Sequence, residues 1–329
     1  MKNNRIHFVL FIITLGTTFL AGFFYSADSK FLDDFLESRN VTYLIDFFGS
    51  GSISNGVTFS AALLFILSAH EMGHYYYGKK YGVDITPPYF IPAPPLISPI
   101  GTFGAFIKIK SPIATKRALF DIGIAGPLVG ICAAIPVIMI GIKLSSIVDP
   151  SSLEFEGGMT LGLPLIFSFL VDSFFGNVPE GKDLLLHLHP VAFAGWIGLF
   201  VTALNLIPAG QLDGGHIMYA LFPRKWHRRA SLSMIFLLLI LGIGTQPIIQ
   251  LLQSLWRGIP LESYKDIFTF DGWLGWVMWA MLLSIMGTRH PPTMDDNIPL
   301  DGKRKLLGVI ALLVFIGCFT PVPIGLPKS

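Results

Sequence analysis

Charge is what this chain has least of. Of its 329 residues, 13% are Asp, Glu, Lys or Arg, about half the share of an ordinary soluble domain. The net charge of +2 is too small to argue for a nucleic-acid partner, and no basic patch interleaved with aromatics is present. Only two cysteines occur, Cys132 and Cys318, both in apolar runs. They supply neither a disulfide framework nor a Cys-type metal site. Low-complexity tails and solenoid-period repeats are missing as well. These absences exclude a disordered chain, a collagen, and a disulfide-stapled secreted domain. What fills the space is apolar: 52% of residues are hydrophobic and the mean hydropathy is +0.64. The composition is that of a polytopic membrane protein.

A helix needs about 20 mostly apolar residues to cross the hydrocarbon core. Seven windows meet or approach this: 6–25, 56–78, 119–142, 190–208, 230–252, 272–288 and 306–324. The stretch 159–175 is apolar but short, and it carries Gly162, Pro164 and Asp172. It reads as interfacial or re-entrant. The positive-inside rule then sets the orientation. With the N-terminus inside, the inner loops hold 16 of the 23 basic residues, from Lys2 and Arg5 through Lys79, Lys80, Arg228 and Arg229 to Lys305. The outer segments hold 14 of the 21 acids, including Asp28, Asp33, Asp34, Glu37, Glu154 and Glu156. The first apolar run is longer than a typical signal core and lacks a small-residue cleavage site, so it is read as a retained span. The longest loop, about 79–118, is rich in Pro and Gly, and no loop has room for a second soluble domain.

Chemistry concentrates at the end of the second window, in Ala69, His70, Glu71, Met72, Gly73 and His74. This is H-E-x-x-H. Residues four apart share a helix face, so both imidazoles can reach one ion. Glu71 lies about 100° round from His70, near enough to touch water at the ion without being a ligand. Eight His and six Glu in a chain of this length predict about 0.004 such matches by chance. Three ionisable side chains within five residues of a span need a shared reason, and Zn²⁺ supplies one. The bland alternative is a wetted helix end at headgroup level, with Tyr75, Tyr76 and Tyr77 as an interfacial belt.

Catalytic zinc takes three protein ligands and keeps one open position. In the fourth window, Pro208 and Gly210 break the helix shortly before Asp213, Gly214 and Gly215. Unwound backbone at membrane depth is tolerated only beside protein or a water-filled cavity. Asp213 therefore reads either as the missing third ligand or as a helix N-cap in a cytoplasmic loop; the histidine pair favours the ligand. Phe103–Ile109 alternates weakly in the manner of a strand, and equally suits a Pro/Gly-rich loop on the headgroups. Asp121 suits a helix start or a contact behind the ligands. His216 reads as a structural contact, His290-Pro291-Pro292 as a span terminator, and His187, His189 and His227 receive no role.

Together the motifs resemble the site-2 protease family of intramembrane zinc metalloproteases. The resemblance rests on His70-Glu71-x-x-His74 on one span and Asn205-x-x-Pro208-x-x-x-x-Asp213-Gly214 on a later one. Between them, Phe120 to Pro127 is similar to the family's glycine-rich central span, and Gly101 to Pro112 to its extended membrane-associated segment. His189-Pro190 and Arg289-His290-Pro291-Pro292 are similar to the subgroup of chloroplasts and many bacteria, lacking PDZ and CBS domains. The resemblance implies regulated intramembrane proteolysis of a transmembrane substrate protein within or near the lipid bilayer. It implies one Zn²⁺ per chain on His70, His74 and Asp213, with Glu71 as general base and Asn205 positioning the scissile backbone or steadying the oxyanion.

The expected fold is an all-α polytopic membrane protein of about seven transmembrane helices, with a short membrane-associated β segment and one re-entrant or interfacial stretch. Its expected parts are 1–55, an N-terminal span and external segment; 56–225, the catalytic membrane core; and 226–329, the C-terminal helices. The expected location is the bacterial cytoplasmic membrane, N-terminus inside, with the site opening to the cytoplasm. Two other classes fit less well. A metal or ion transporter would spread its ionisable groups through the bilayer and repeat its halves. An inactive helix-binding scaffold would not need Glu71.

Overall fold

A computed structural model describes residues 4–25, 52–148, 160–176, 185–244 and 272–325. The acidic outer segments around 28–37 and 154–156, and the end of the predicted 230–252 span, lie outside the described residues. The chain is mostly helical with a few short strands. It divides into two compact units, one formed by 1–113, 124–153 and 167–202, the other by 114–123, 154–166 and 203–329.

The first unit begins with α1 (Asn4–Tyr25) and α2 (Ser52–Lys80). Between them the packing surfaces are small. A Cβ on Gly22 would meet the Phe59 side chain at 2.5 Å, and one on Gly56 would meet Phe19 at 2.9 Å. Lipid tails are as apolar as leucine, so helices associate in a bilayer through close approach at small residues and buried polar contacts. The second device is present too: the Thr18 and Ser60 hydroxyls lie 2.6 Å apart, both buried. β1 (Tyr89–Pro92) and β2 (Thr102–Phe106) pair antiparallel, Tyr89 opposite Phe106 and Phe90 opposite Ala105. The strand pattern expected over Phe103–Ile109 is thus realised over Thr102–Phe106. A second pair joins β3 (Ser146–Val148) to β5 (Leu185–His187), and was not foreseen in the sequence.

Helix α3 (Lys116–Leu144) contains Pro127 and Pro136 and is the most enclosed of the long helices, with 67% of its apolar window buried. α4 (Leu165–Phe175) has 11 residues, a length of about 16 Å, well short of a hydrocarbon core. α5 (Pro190–Leu206) has 17. Within the first unit α5 meets α3 through Gly195, whose Cβ would run into Ile138.

The second unit holds α6 (Asp213–Leu221), α7 (Arg224–Ile243), α8 (Gly275–Met286) and α9 (Gly302–Cys318). β4 (Thr160–Leu161) pairs with β6 (Ile324–Gly325). Trp276 is fully buried; its indole N–H donates to the Pro321 carbonyl at 2.7 Å and its ring stacks on Phe319. Trp276 is therefore interior. Asp121, near the start of α3, forms an ion pair with Arg304 at 2.6 Å, so it ties α3 to α9.

Among the described residues four helices are long and apolar enough to cross a membrane: Arg5–Tyr25, Ile53–Lys80, Lys116–Leu144 and Arg224–Ile243. The other three windows of the seven-span expectation are helices of 17, 12 and 17 residues. α8 stops early because Gly287, at φ 93°, takes a backbone conformation that ends the helix and that other residues avoid.

Candidate metal centre

Helix α2 runs without a break from its apolar half through His70, Glu71 and His74 to Lys79 and Lys80. The three ionisable side chains are buried, at 4%, 7% and 6% exposure. The helical turn that follows carries the motif's charge outward: Lys79 and Lys80 lie over the rings of Tyr75 and Tyr77, and cations at a helix C-terminus suit its dipole. One turn separates the two histidines, and their Nε2 atoms stand 3.1 Å apart. Two imidazoles bound to one tetrahedral zinc at 2.0–2.1 Å would hold their nitrogens about 3.4 Å apart. The pair therefore has nearly the spacing that a shared ion requires.

Helix α3 supplies the opposing wall. A Cβ on Gly73 would meet the Ala125 carbonyl oxygen at 2.6 Å, so α2 and α3 touch backbone to backbone here. A Cβ on Gly126 would collide with Nε2 of His74, and one on Gly130 would press on Nδ1 of His70 at 3.0 Å. Two glycines four apart thus face two histidines four apart. The sequence signalled a glycine-rich span, but its role as a slot for the imidazoles went unread; the shared four-residue spacing was the available clue.

Asp213 comes from a different kind of segment. α5 ends at Leu206 and the chain turns through Pro208 and Gly210, the latter at φ 56°. The turn is not left unsatisfied. The Gly210 N–H donates to the Ser231 hydroxyl at 3.2 Å, and Nε2 of His227 lies 3.1 Å from the Gly210 carbonyl oxygen. His227, given no role from sequence, is a buried prop for this turn. Gly214 and Gly215 then bring α6 directly onto the loop: a Cβ on Gly214 would strike the Leu206 carbonyl, and one on Gly215 would meet that of Gly210 at 2.5 Å. Asp213 is the first helical residue. The N-cap is Leu212, whose side chain makes no capping hydrogen bond, so the N-cap reading of Asp213 does not hold. Asn205, half-buried, sits in the last turn of α5.

Among the described residues, His70, His74 and Asp213 form a group able to hold a metal ion, each offering one ligand atom, all within 4.8 Å of one another. Two neutral nitrogens and one carboxylate oxygen are the donor set that zinc accepts. The other histidines lie elsewhere: His187 in β5, His189 just before α5, and His216 beside His290, Nδ1 to Nε2 at 2.6 Å.

Residues 58–243 match Peptidase family M50. The chain belongs to this family, the site-2 proteases. Among curated proteins it is 32% identical, over 177 residues, to the probable zinc metalloprotease EGY1, chloroplastic, of Oryza sativa subsp. japonica, covering 52% of this chain and 29% of that one. It is 28% identical over 271 residues to the protein of the same name from Arabidopsis thaliana, covering 79% and 42%. It is 29% identical over 276 residues to the probable zinc metalloprotease EGY2, chloroplastic, of Arabidopsis thaliana, covering 82% and 43%. The chain spans less than half the length of these relatives. Their names specify zinc, in agreement with the two-histidine, one-aspartate group. Their names also specify the chloroplast, so they lend no support to a bacterial cytoplasmic membrane.

Proposed function

We propose that this chain is an intramembrane zinc metalloprotease that cuts transmembrane substrate proteins within or near the bilayer, as in regulated intramembrane proteolysis. The observation that carries the reading is the convergence of His70, His74 and Asp213, with a buried carboxylate, Glu71, beside them and outside the set. A structural zinc site would need no such base.

His70, His74 and Asp213 would hold the metal, and the catalytic part of the chain is 56–225. Zinc, when bound, supplies a Lewis acid that polarises a carbonyl and brings the pKa of water to about 7. Glu71 takes the proton of the attacking water and returns it to the leaving amine. Its burial keeps bulk water from competing for that proton. Asn205 donates an amide N–H to the developing oxyanion, a role worth roughly 3 kcal/mol in other enzymes. Gly126 and Gly130 leave the space that the imidazoles occupy, since a Cβ at either would press on the rings.

In this reading the chain crosses the bilayer seven times, and the side bearing Lys79, Lys80, Arg228 and Arg229 is the inner one, towards which the site opens. The segment 159–175 does not cross. The test is metal analysis together with cleavage of a model transmembrane substrate in liposomes, comparing the wild type with Glu71→Gln. Full zinc content and no cleavage in the variant are expected; retained cleavage would remove Glu71 from its role.

A further inference from the structure

The link between α8 and α9, residues 289–300, makes specific contacts with the helix that Asp213 begins. At one end Nε2 of His290 stands 2.6 Å from Nδ1 of His216, and the His290 ring stacks on Tyr219 with centroids 4.4 Å apart. Further along, Asp296 collects donors from three residues. The Tyr219 hydroxyl and an Arg224 guanidinium N–H reach its Oδ2, both at 2.7 Å, and the Thr293 hydroxyl reaches Oδ1 at 2.6 Å. The same segment is anchored to the start of α3: the Asp295 N–H donates to the Ala114 carbonyl at 2.9 Å, and Arg117 donates to the Pro299 carbonyl at 3.0 Å. It is a strap fixed to one helix and gripping another.

The gripped helix needs outside support. α6 has nine residues, fewer than an isolated helix requires to hold itself. Its N-cap, Leu212, offers no capping side chain, and the helix starts behind a broken turn with two glycines in its first turn. His216 and Asp213 are three apart on α6, on one face, so what orients His216 orients Asp213. A strap that only closed the connection between α8 and α9 would need no ring-to-ring polar contact at this point. Burial pushes the His290 pKa down to about 4, so near neutrality the His290 ring is uncharged and can take part in the contact as one donor and one acceptor.

We infer that His290, acting through His216, is a positioning residue for the metal centre: the strap 289–300 sets the attitude of α6 and with it the Asp213 carboxylate. This rests on Asp213 being a zinc ligand. Partners behind metal ligands typically change affinity roughly 10- to 100-fold when removed.

The experiment titrates zinc into the purified, metal-stripped full chain in detergent against a competing chelator, reading stoichiometry and Kd. His290→Phe keeps a ring on Tyr219 but deletes the nitrogen contact, and should weaken zinc roughly 10- to 100-fold. His290→Gln retains a polar group able to reach His216 and should recover most of that affinity. His216→Ala, and His216→Ala combined with His290→Phe, should lose about as much as His290→Phe alone, because one contact is being removed each time. Met294→Ala, on the same strap but 75% exposed, should bind like wild type. Equal Kd values for the Phe and Gln variants, or a double loss equal to the product of the single ones, would overturn the inference. A wild type that binds no zinc, or Asp213→Ala binding like wild type, would instead strike the ligand assignment on which it stands.

Discussion

Two segments supply the side chains of the group able to hold a metal ion, and they are built in opposite ways. The histidines ride on α2, a continuous 29-residue helix whose own geometry sets their separation; nothing outside it is needed to place one ring a turn above the other. Asp213 begins a nine-residue helix after a proline-glycine turn, and its position is borrowed from neighbours: His227 and Ser231 under the turn, glycines at the contact, and the strap on His216. The rigid arm carries the histidine pair and the propped arm carries the aspartate. Damage to α2 should therefore act locally, at the residue changed, while damage to the propped arm should be transmitted from several places.

The largest effect is expected where the rigid arm bears the chemistry. Glu71→Gln should lower cleavage of a transmembrane substrate by at least about 100-fold with zinc content unchanged, read by metal analysis beside a proteolysis assay. Next comes the propped arm: if Asp213 is the third ligand, as proposed, Asp213→Ala should leave zinc binding lost or sharply weakened, and an unchanged stoichiometry would move that role to another residue. Gly126→Ala tests the slot. Its methyl collides with the His74 ring, so zinc affinity should fall about 10-fold or more, whereas Gly130→Ala, at 3.0 Å from His70, should fall less. Gly214→Ala drives a methyl into the Leu206 carbonyl and should cost about 1–3 kcal/mol of stability, seen as a lower unfolding midpoint in detergent. The smallest effect is that of pH. The folded pKa of His290, about 4, lies below its ordinary 6.5, so the folded state takes up its proton later than the unfolded chain. Stability tied to the neutral ring is complete above pH 6.5 and drains away as pH falls towards 4; His290→Phe should flatten that part of the profile.

Asp296 belongs to the same strap and behaves differently. Burial alone would raise its carboxyl, but hydrogen bonds from Thr293, Tyr219 and Arg224 outweigh burial and hold it well below the ordinary carboxylate range. It stays charged across the range in which His290 titrates, so the strap's two grips respond to acid at different pH values.

The membrane character, the H-E-x-x-H pair and the break before Asp213 were all readable in the chain, because each rests on local composition or on a spacing shorter than two helical turns. The span count was less readable. Apolar windows mark where a helix can sit in lipid, but α8 ends at Gly287 after 12 residues within a window of 17. The Gly126 and Gly130 slot was half legible: glycines were visible, their partners were not. The strap was illegible, since His290 and His216 are 74 positions apart and each taken alone reads as an ordinary polar residue near a helix end.

By itself, then, the order of residues determined that two imidazoles face one side of one apolar helix, since a helix repeats every 3.6 residues whatever surrounds it. That a carboxylate from residue 213 meets them was decided by the tertiary structure alone. A broken backbone has no intrinsic direction, and only the groups packed against it give it one.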